Sequence, residues 1–266
     1  MEEQKGKCIG VIDSGLGGLT VVKELERFLP KENIIYFGDN ANCPYGNRPR
    51  SEILELSLAM LDFMQNQGVK IVAVACNTIS ILIDELRKHF DFPIVSIIEE
   101  ACKHVAARNI PETGVFATEF TIRGGLYNTL IHSYRPETKV FGVPSRTLAM
   151  LVDEGRFSGS DTKAEVHSLL NTLLSAHPEV KHVVLGCTHY PIVQDLFEEA
   201  APDLNFINPA AVQAEAVKTL LAERGLLCDL SEPAMNIFTS GGKEPYEAAI
   251  KKLGIRRPLT ITVNKN

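Results

Sequence analysis

Apolar residues recur along this chain in short runs rich in valine and isoleucine, at 8–12, 33–37, 71–75, 94–97, 115–117, 140–143, 182–185, 206–207, 237–238 and 259–263. Bounded by polar and glycine-containing segments, such runs read as strands buried on both faces. Between most of them the period changes. In 19–29, Leu19, Val22, Leu25 and Leu29 share one helical face, and in 51–67 that face holds Leu54, Leu58, Leu61 and Met64. Strands alternating with amphipathic helices predict βαβ units and mostly parallel, buried sheets. In sheets of this kind ligands sit beyond the carboxyl ends of the strands.

No Gly/Ser-rich linker marks a boundary, so division into domains must come from internal similarity. The segment Gly10-Val11-Ile12-Asp13-Ser14 resembles Gly114-Val115-Phe116-Ala117-Thr118, and Val74-Ala75-Cys76-Asn77-Thr78 resembles Leu185-Gly186-Cys187-Thr188-His189. The two pairs stand at nearly equal offsets, which suggests two related α/β halves.

Composition narrows the function. With 45% hydrophobic and 23% charged residues in 266, the chain can bury a sizeable core. Its formal net charge of −6 is spread along the sequence with no Lys/Arg stripe, which disfavours nucleic acid as a primary ligand. The first apolar run is too short for a signal-peptide core or a membrane span, so a soluble cytoplasmic protein with no membrane partner is expected. Six cysteines, at 8, 43, 76, 102, 187 and 228, form no C-x-x-C pair, and reduced thiols are the expectation.

Two of these thiols occupy equivalent places. Cys76 and Cys187 each end a strand and precede short polar donors, Asn77-Thr78 or Thr188-His189, that would open a helix. A helix N-terminus would lower a thiol pKa from about 8.5 towards neutrality. Two bases in matched settings suit racemisation, because one proton must leave a carbon and another arrive on its opposite face. Metal ligation by Cys187-x-His189 is the main competitor, but no second Cys/His pair lies at metal-site spacing. His189 could exchange a proton with Cys187. Cys8, Cys102 and Cys228 read as structural, and so does Cys43, although it adjoins Pro44-Tyr45-Gly46, a loop able to present backbone N–H groups and a phenol to a ligand. The turn Asp13-Ser14-Gly15-Leu16-Gly17-Gly18 lacks the third glycine of a dinucleotide site and the Gly-Lys-Ser/Thr of a P-loop. It reads either as a carboxylate-binding turn with Asp13 as a catalytic auxiliary, or as a tight turn whose helix is capped by Ser14.

Together these segments, with Tyr36-Phe37-Gly38-Asp39, Cys43-Pro44-Tyr45-Gly46 and Gly186-Cys187-Thr188-His189-Tyr190-Pro191, resemble the bacterial glutamate racemase family, and the similarity spans nearly the whole chain. Weaker matches occur at Thr118-x-x-Thr121 and at 238–241. The resemblance implies two flavodoxin-like, doubly wound, parallel-sheet α/β domains, pseudo-symmetric and facing each other across the active site. The first would combine 1–96 with 209–266, and the second would span 97–208.

By the same resemblance Cys76 serves the D-substrate and Cys187 the L-substrate, with Asp13 and His189 assisting. Substrate contacts fall on Asp13, Ser14, Tyr45, Gly46, Asn77, Thr78, Thr118, Thr121, Thr188 and His189. No metal and no cofactor are expected, since the thiols supply both bases and no lysine falls within the matched motifs. The implied reaction is interconversion of L- and D-glutamate for peptidoglycan; a racemase of aspartate or another acidic substrate, or a binding protein without turnover, are the alternatives. A homodimer is compatible with these motifs but not encoded by them. Some relatives are activated by a cell-wall precursor through an N-terminal extension, and with about seven residues before the first strand no such activation is expected. The chain also departs from the family. Asp153 or Glu154 stands where a glutamate is usual near the second cysteine, Asn40-Ala41-Asn42 replaces Thr-Ala-Arg, and Asn208-Pro209 replaces Asp-Pro.

Overall fold

The computed structural model describes residues 5–264. All ten apolar runs form strands: β1 (Ile9–Asp13), β2 (Ile34–Gly38), β3 (Ile71–Val74), β4 (Ile94–Ser96), β5 (Glu112–Thr118), β6 (Lys139–Ser145), β7 (His182–Leu185), β8 (Asn205–Ile207), β9 (Met235–Thr239) and β10 (Leu259–Val263). They assemble into two sheets, ordered β10-β9-β2-β1-β3-β4 and β6-β5-β7-β8, with every pairing parallel. The second order repeats the 2-1-3-4 portion of the first. Internal similarity in sequence is therefore matched by topology, and β3 and β7, which lead to Cys76 and Cys187, are equivalent strands.

Residues of β1, β2 and β3 are buried throughout, as expected of central strands covered by helices on both faces. At the edges the pattern changes: β10 has no fully buried residue, and β6 tolerates Pro144, which has no N–H to donate to a neighbour. β9 and β10 come from the C-terminal segment and extend the first sheet.

The first predicted helix forms as Leu19–Phe28, with Leu19, Val22 and Leu25 buried. It begins after Gly18, and Ser14 does not cap it, so the capping role expected for Ser14 is not observed. The second, Arg50–Asn66, buries Ile53, Ser57, Met60, Leu61 and Met64. Leu54 and Leu58 are only half-buried, so the inward face is rotated by about one residue from the predicted one. Serine 57 can lie on that inward face because its hydroxyl donates to the Ile53 carbonyl at 2.6 Å, leaving no polar atom stranded.

The helix Pro209–Glu223 packs against both Leu19–Phe28 and Ile97–Ala107, and the last of these packs on Leu126–Tyr134. One hydrophobic core accordingly runs from Ile9 and Val11 beneath the first sheet to Phe116 and Val184 in the second. Within it, the Gln213 side-chain amide donates to the carbonyls of Val74 and Val95, both at 2.9 Å, fixing the ends of β3 and β4. Parallel register aligns Asp13 with Gly38 and Phe116 with Leu185. The segments beginning at Asp13, Asp39 and Cys76 therefore emerge side by side, opposite those beginning at Thr118 and Cys187.

Candidate active site

These strand ends surround a pocket lined by Ser14, Cys43, Pro44, Tyr45, Gly46, Cys76, Asn77, Thr78, Thr118, Ala149, Gly186, Cys187, Thr188 and His189. Ten of the residues expected from sequence line it. Two others lie just behind: Asp13 is fully buried, and Thr121 joins the hydroxyls of Thr118 and Thr78 at 3.0 and 3.4 Å. The Thr78 and Thr118 hydroxyls are 3.2 Å apart, so this trio links the two halves of the wall.

Close approach of the halves depends on backbone at Gly17. A Cβ there would lie 2.7 Å from Nδ1 and 2.8 Å from the backbone nitrogen of His189. Across the same junction the Thr188 hydroxyl donates to Asp13 Oδ2 at 3.0 Å, while Gly15 N–H donates to Asp13 Oδ1 at 3.0 Å. Asp13 thus ties the turn after β1 to the turn after β7. Burial raises its pKa from 3.8 to about 6, against the lowering pull of His189 and of these two hydrogen bonds.

The two thiols have different surroundings. Cys76 donates to the Ser14 hydroxyl oxygen at 3.4 Å, and burial pushes its pKa up to about 12. This reverses the lowering expected from a helix N-terminus. The helices that follow the thiols are single turns, Asn77–Ser80 after Cys76 and the 3-10 turn Tyr190–Val193 after Cys187. After Cys76 so short a dipole does not offset desolvation of its thiolate. In its resting form Cys76 is a protonated acid. Cys187 Sγ lies 3.7 Å from His189 Nδ1, and His189 Nε2 lies 3.0 Å from Asp153 Oδ1. Burial disfavours the imidazolium, but Asp153 and Cys187 together hold the His189 pKa well above its ordinary value. Glu154, the other candidate for the missing glutamate, is half-exposed and pairs with Arg156.

Asn77 has a distinctive arrangement. Its Oδ1 accepts a hydrogen bond from the Tyr127 hydroxyl at 2.8 Å, and its Nδ2 is buried with no partner. A buried amide donor facing a pocket without a partner is costly unless a ligand satisfies it. Tyr45 behaves differently from expectation: its hydroxyl donates to Asp39 Oδ2 at 2.6 Å, so its ring lines the pocket while the phenol serves the loop. Ser240 and Asn42 also donate to Asp39. Sequence reasoning gave neither Ala149 nor Tyr127 a place at the site and carried Pro44 and Gly186 only within the motifs around Tyr45 and Cys187; it treated Cys43 as structural, whereas Cys43 lines the pocket. Cys43 and Pro44 carried a signal in their adjacency to Tyr45-Gly46, and Gly186 in its adjacency to Cys187.

Two thiols from equivalent strand ends thus line one pocket together with neutral donors. A sequence model for the family described as Asp/Glu/Hydantoin racemase matches residues 9–217. A glutamate racemase of Oceanobacillus iheyensis is 35% identical over 245 residues, covering 90% of this chain and 89% of that protein. Among solved structures, glutamate racemase from Francisella tularensis in complex with D-glutamate aligns with a TM-score of 0.89 at 30% identity, covering 98% of each chain. The enzyme from Thermus thermophilus in complex with β-chloro-D-alanine aligns with a TM-score of 0.84 at 29% identity, also covering 98% of each chain.

Proposed function

This chain belongs to the Asp/Glu racemase family, and from that premise we propose that it interconverts L- and D-glutamate through two opposed thiols, Cys76 and Cys187, without a cofactor. The observation that carries this reading is the placement of two cysteines at equivalent strand ends of two topologically matched sheets, both lining one small pocket.

In the L-to-D direction the Cys187 thiolate takes the Cα proton and becomes a thiol. The electron pair left on Cα is delocalised into the α-carboxylate. The Cys76 thiol then delivers its proton to the opposite face and becomes a thiolate. In the D-to-L direction the roles exchange. A protonated Cys76 and a Cys187 beside the His189 imidazolium are the pair of states that the first direction requires. His189, held towards its cationic form, stands 3.7 Å from Cys187 Sγ, and burial keeps the proton on Cys76. Asp153 holds His189 in position and in its charged form. Asp13, behind the pocket, acts as a positioning residue through Thr188 and the Gly15 turn.

The substrate carboxylates are held by neutral donors: the Asn77 amide and the hydroxyls of Ser14, Thr78, Thr118, Thr121 and Thr188, with backbone around Gly46. Hydrogen bonds to a carboxylate are charge-assisted even from neutral donors. The small pocket suits one amino acid rather than a nucleotide. We further place the domain boundaries at 1–96 with 209–266 and at 97–208, and assign the enzyme to the cytoplasm, to the supply of D-glutamate for peptidoglycan, and to a homodimer. No helix among the described residues is long and apolar enough to cross a membrane.

Chiral chromatography of the products formed by chelator-treated, pyridoxal-phosphate-free protein tests this reading. L-glutamate should be converted to a racemic mixture far faster than L-aspartate. Dependence on added metal or pyridoxal phosphate, or preference for aspartate, would overturn it.

A further inference from the structure

Behind His189 the pocket wall gathers three different ligand types. Cys43 Sγ, an Asp153 carboxylate oxygen and a His189 ring nitrogen all lie within 4.8 Å of one another. They converge on the open face of Gly15. A Cβ at that position would stand 2.6 Å from Asp153 Oδ1, 3.1 Å from Cys43 Sγ and 3.4 Å from His189 Nε2. The absence of a side chain at Gly15 therefore leaves room among the three donors. The same Asp153 Oδ1 also accepts the Leu16 N–H at 3.2 Å. No part of the proton-transfer scheme uses Cys43.

We propose that Cys43, Asp153 and His189 form a binding site for a zinc-type divalent cation that switches the enzyme off. Thiolate, imidazole and carboxylate together are the donor set of zinc, whereas magnesium and calcium take oxygen ligands. With Zn–S near 2.3 Å and Zn–N or Zn–O near 2.0–2.1 Å, ligand atoms of a tetrahedral ion stand roughly 3.3–3.6 Å apart, so small side-chain shifts close the triangle. Three protein ligands leave the fourth position to water. Binding would exchange the proton between Nε2 and Asp153 for the metal, and Cys43 would release its thiol proton to solvent. The ion, with its water in the fourth position, would then sit against the pocket that Cys43, Cys187 and His189 line, and would hold His189 by Nε2 in place of its pairing with Asp153. The inhibitory consequence rests on the racemase reading, but the binding site does not.

Cobalt(II) titration of the metal-free full chain tests the site directly, since a thiolate ligand gives cobalt a near-ultraviolet charge-transfer band. One cobalt per chain should bind with this band, zinc should displace it stoichiometrically, and magnesium should not. The band should vanish in Cys43→Ser and persist in Cys76→Ser and Cys102→Ser, with circular dichroism confirming that each variant is folded. Asp153→Asn should weaken cobalt binding at least tenfold. In parallel, zinc should inhibit glutamate racemisation by the native chain at the concentration that displaces cobalt, and a chelator should restore it. A native chain without the band, or a band retained in Cys43→Ser, would overturn the site. Racemisation by the metal-free chain tests the reaction itself, so the two failures are distinguishable.

Discussion

His189 and Asp153 form a part-buried pair, Nε2 to Oδ1 at 3.0 Å. The pair holds the imidazole with its other nitrogen towards Cys187. Asp153→Asn removes the charge that favours imidazolium while keeping the shape. Turnover from L-glutamate should fall on the order of 10²-fold, with KM changed little, because the imidazolium matters to proton transfer more than to binding. Steady-state kinetics in both directions check this, and a variant with native kcat would show that Asp153 has no part in the reaction.

Tyr127 acts one step further from the substrate. Its hydroxyl fixes the Asn77 amide so that Nδ2 is left for a ligand. Tyr127→Phe frees the amide to turn and leaves a buried acceptor unpaired, a cost of about 1–3 kcal/mol. The expected result is a KM for glutamate raised roughly tenfold, each 1.4 kcal/mol being a factor of ten, with kcat largely kept. An unchanged KM would mean that Asn77 does not hold the substrate.

Asp13 makes the stability of the chain depend on pH in a defined window. Its folded-state pKa, about 6, lies above the ordinary 3.8, so the folded chain binds the proton more tightly than the unfolded chain. That contribution is fully present below about pH 4 and is lost as pH rises through 6, amounting to about 3 kcal/mol. Urea unfolding from pH 4 to 7 should therefore show the native chain losing stability relative to Asp13→Asn across this range. Parallel profiles for the two would contradict the burial-driven shift.

The parts of this molecule legible in its sequence are those set by local pattern. Runs of valine and isoleucine marked all ten strands, and small polar residues after β1, β3, β5 and β7 marked the pocket, because a parallel sheet puts its strand ends together. Contacts between distant segments were not legible. Nothing near Tyr127 indicates that its hydroxyl meets Asn77, and nothing in Tyr45 indicates that its phenol turns away to Asp39. Cys43 looked like a small apolar residue because its neighbours in sequence carry no charge, whereas its neighbours in space are Asp153 and His189. The Cys76 pKa failed for a related reason: sequence shows the helix that follows, but the burial comes from segments distant in the chain, such as those of Ile12 and Tyr45, with which it clusters. The inward face of Arg50–Asn66 moved by a residue because Ser57 found a carbonyl partner, which a hydropathy pattern counts only as polar.

The claim that Cys76 and Cys187 are opposed bases is tested most directly by separating their two half-reactions. Replacing either with serine leaves a hydroxyl that is a far poorer base at neutral pH, so racemisation should fall by orders of magnitude in both variants. A glutamate analogue with a good leaving group on its β-carbon needs only one proton abstraction before elimination. Each variant should still perform that step on the face of its remaining thiol. Elimination rates measured on both enantiomers of the analogue should show Cys76→Ser processing the L-form and Cys187→Ser the D-form. The same enantiomer preference in both variants, or near-native racemisation in either, would contradict the assignment of these two thiols.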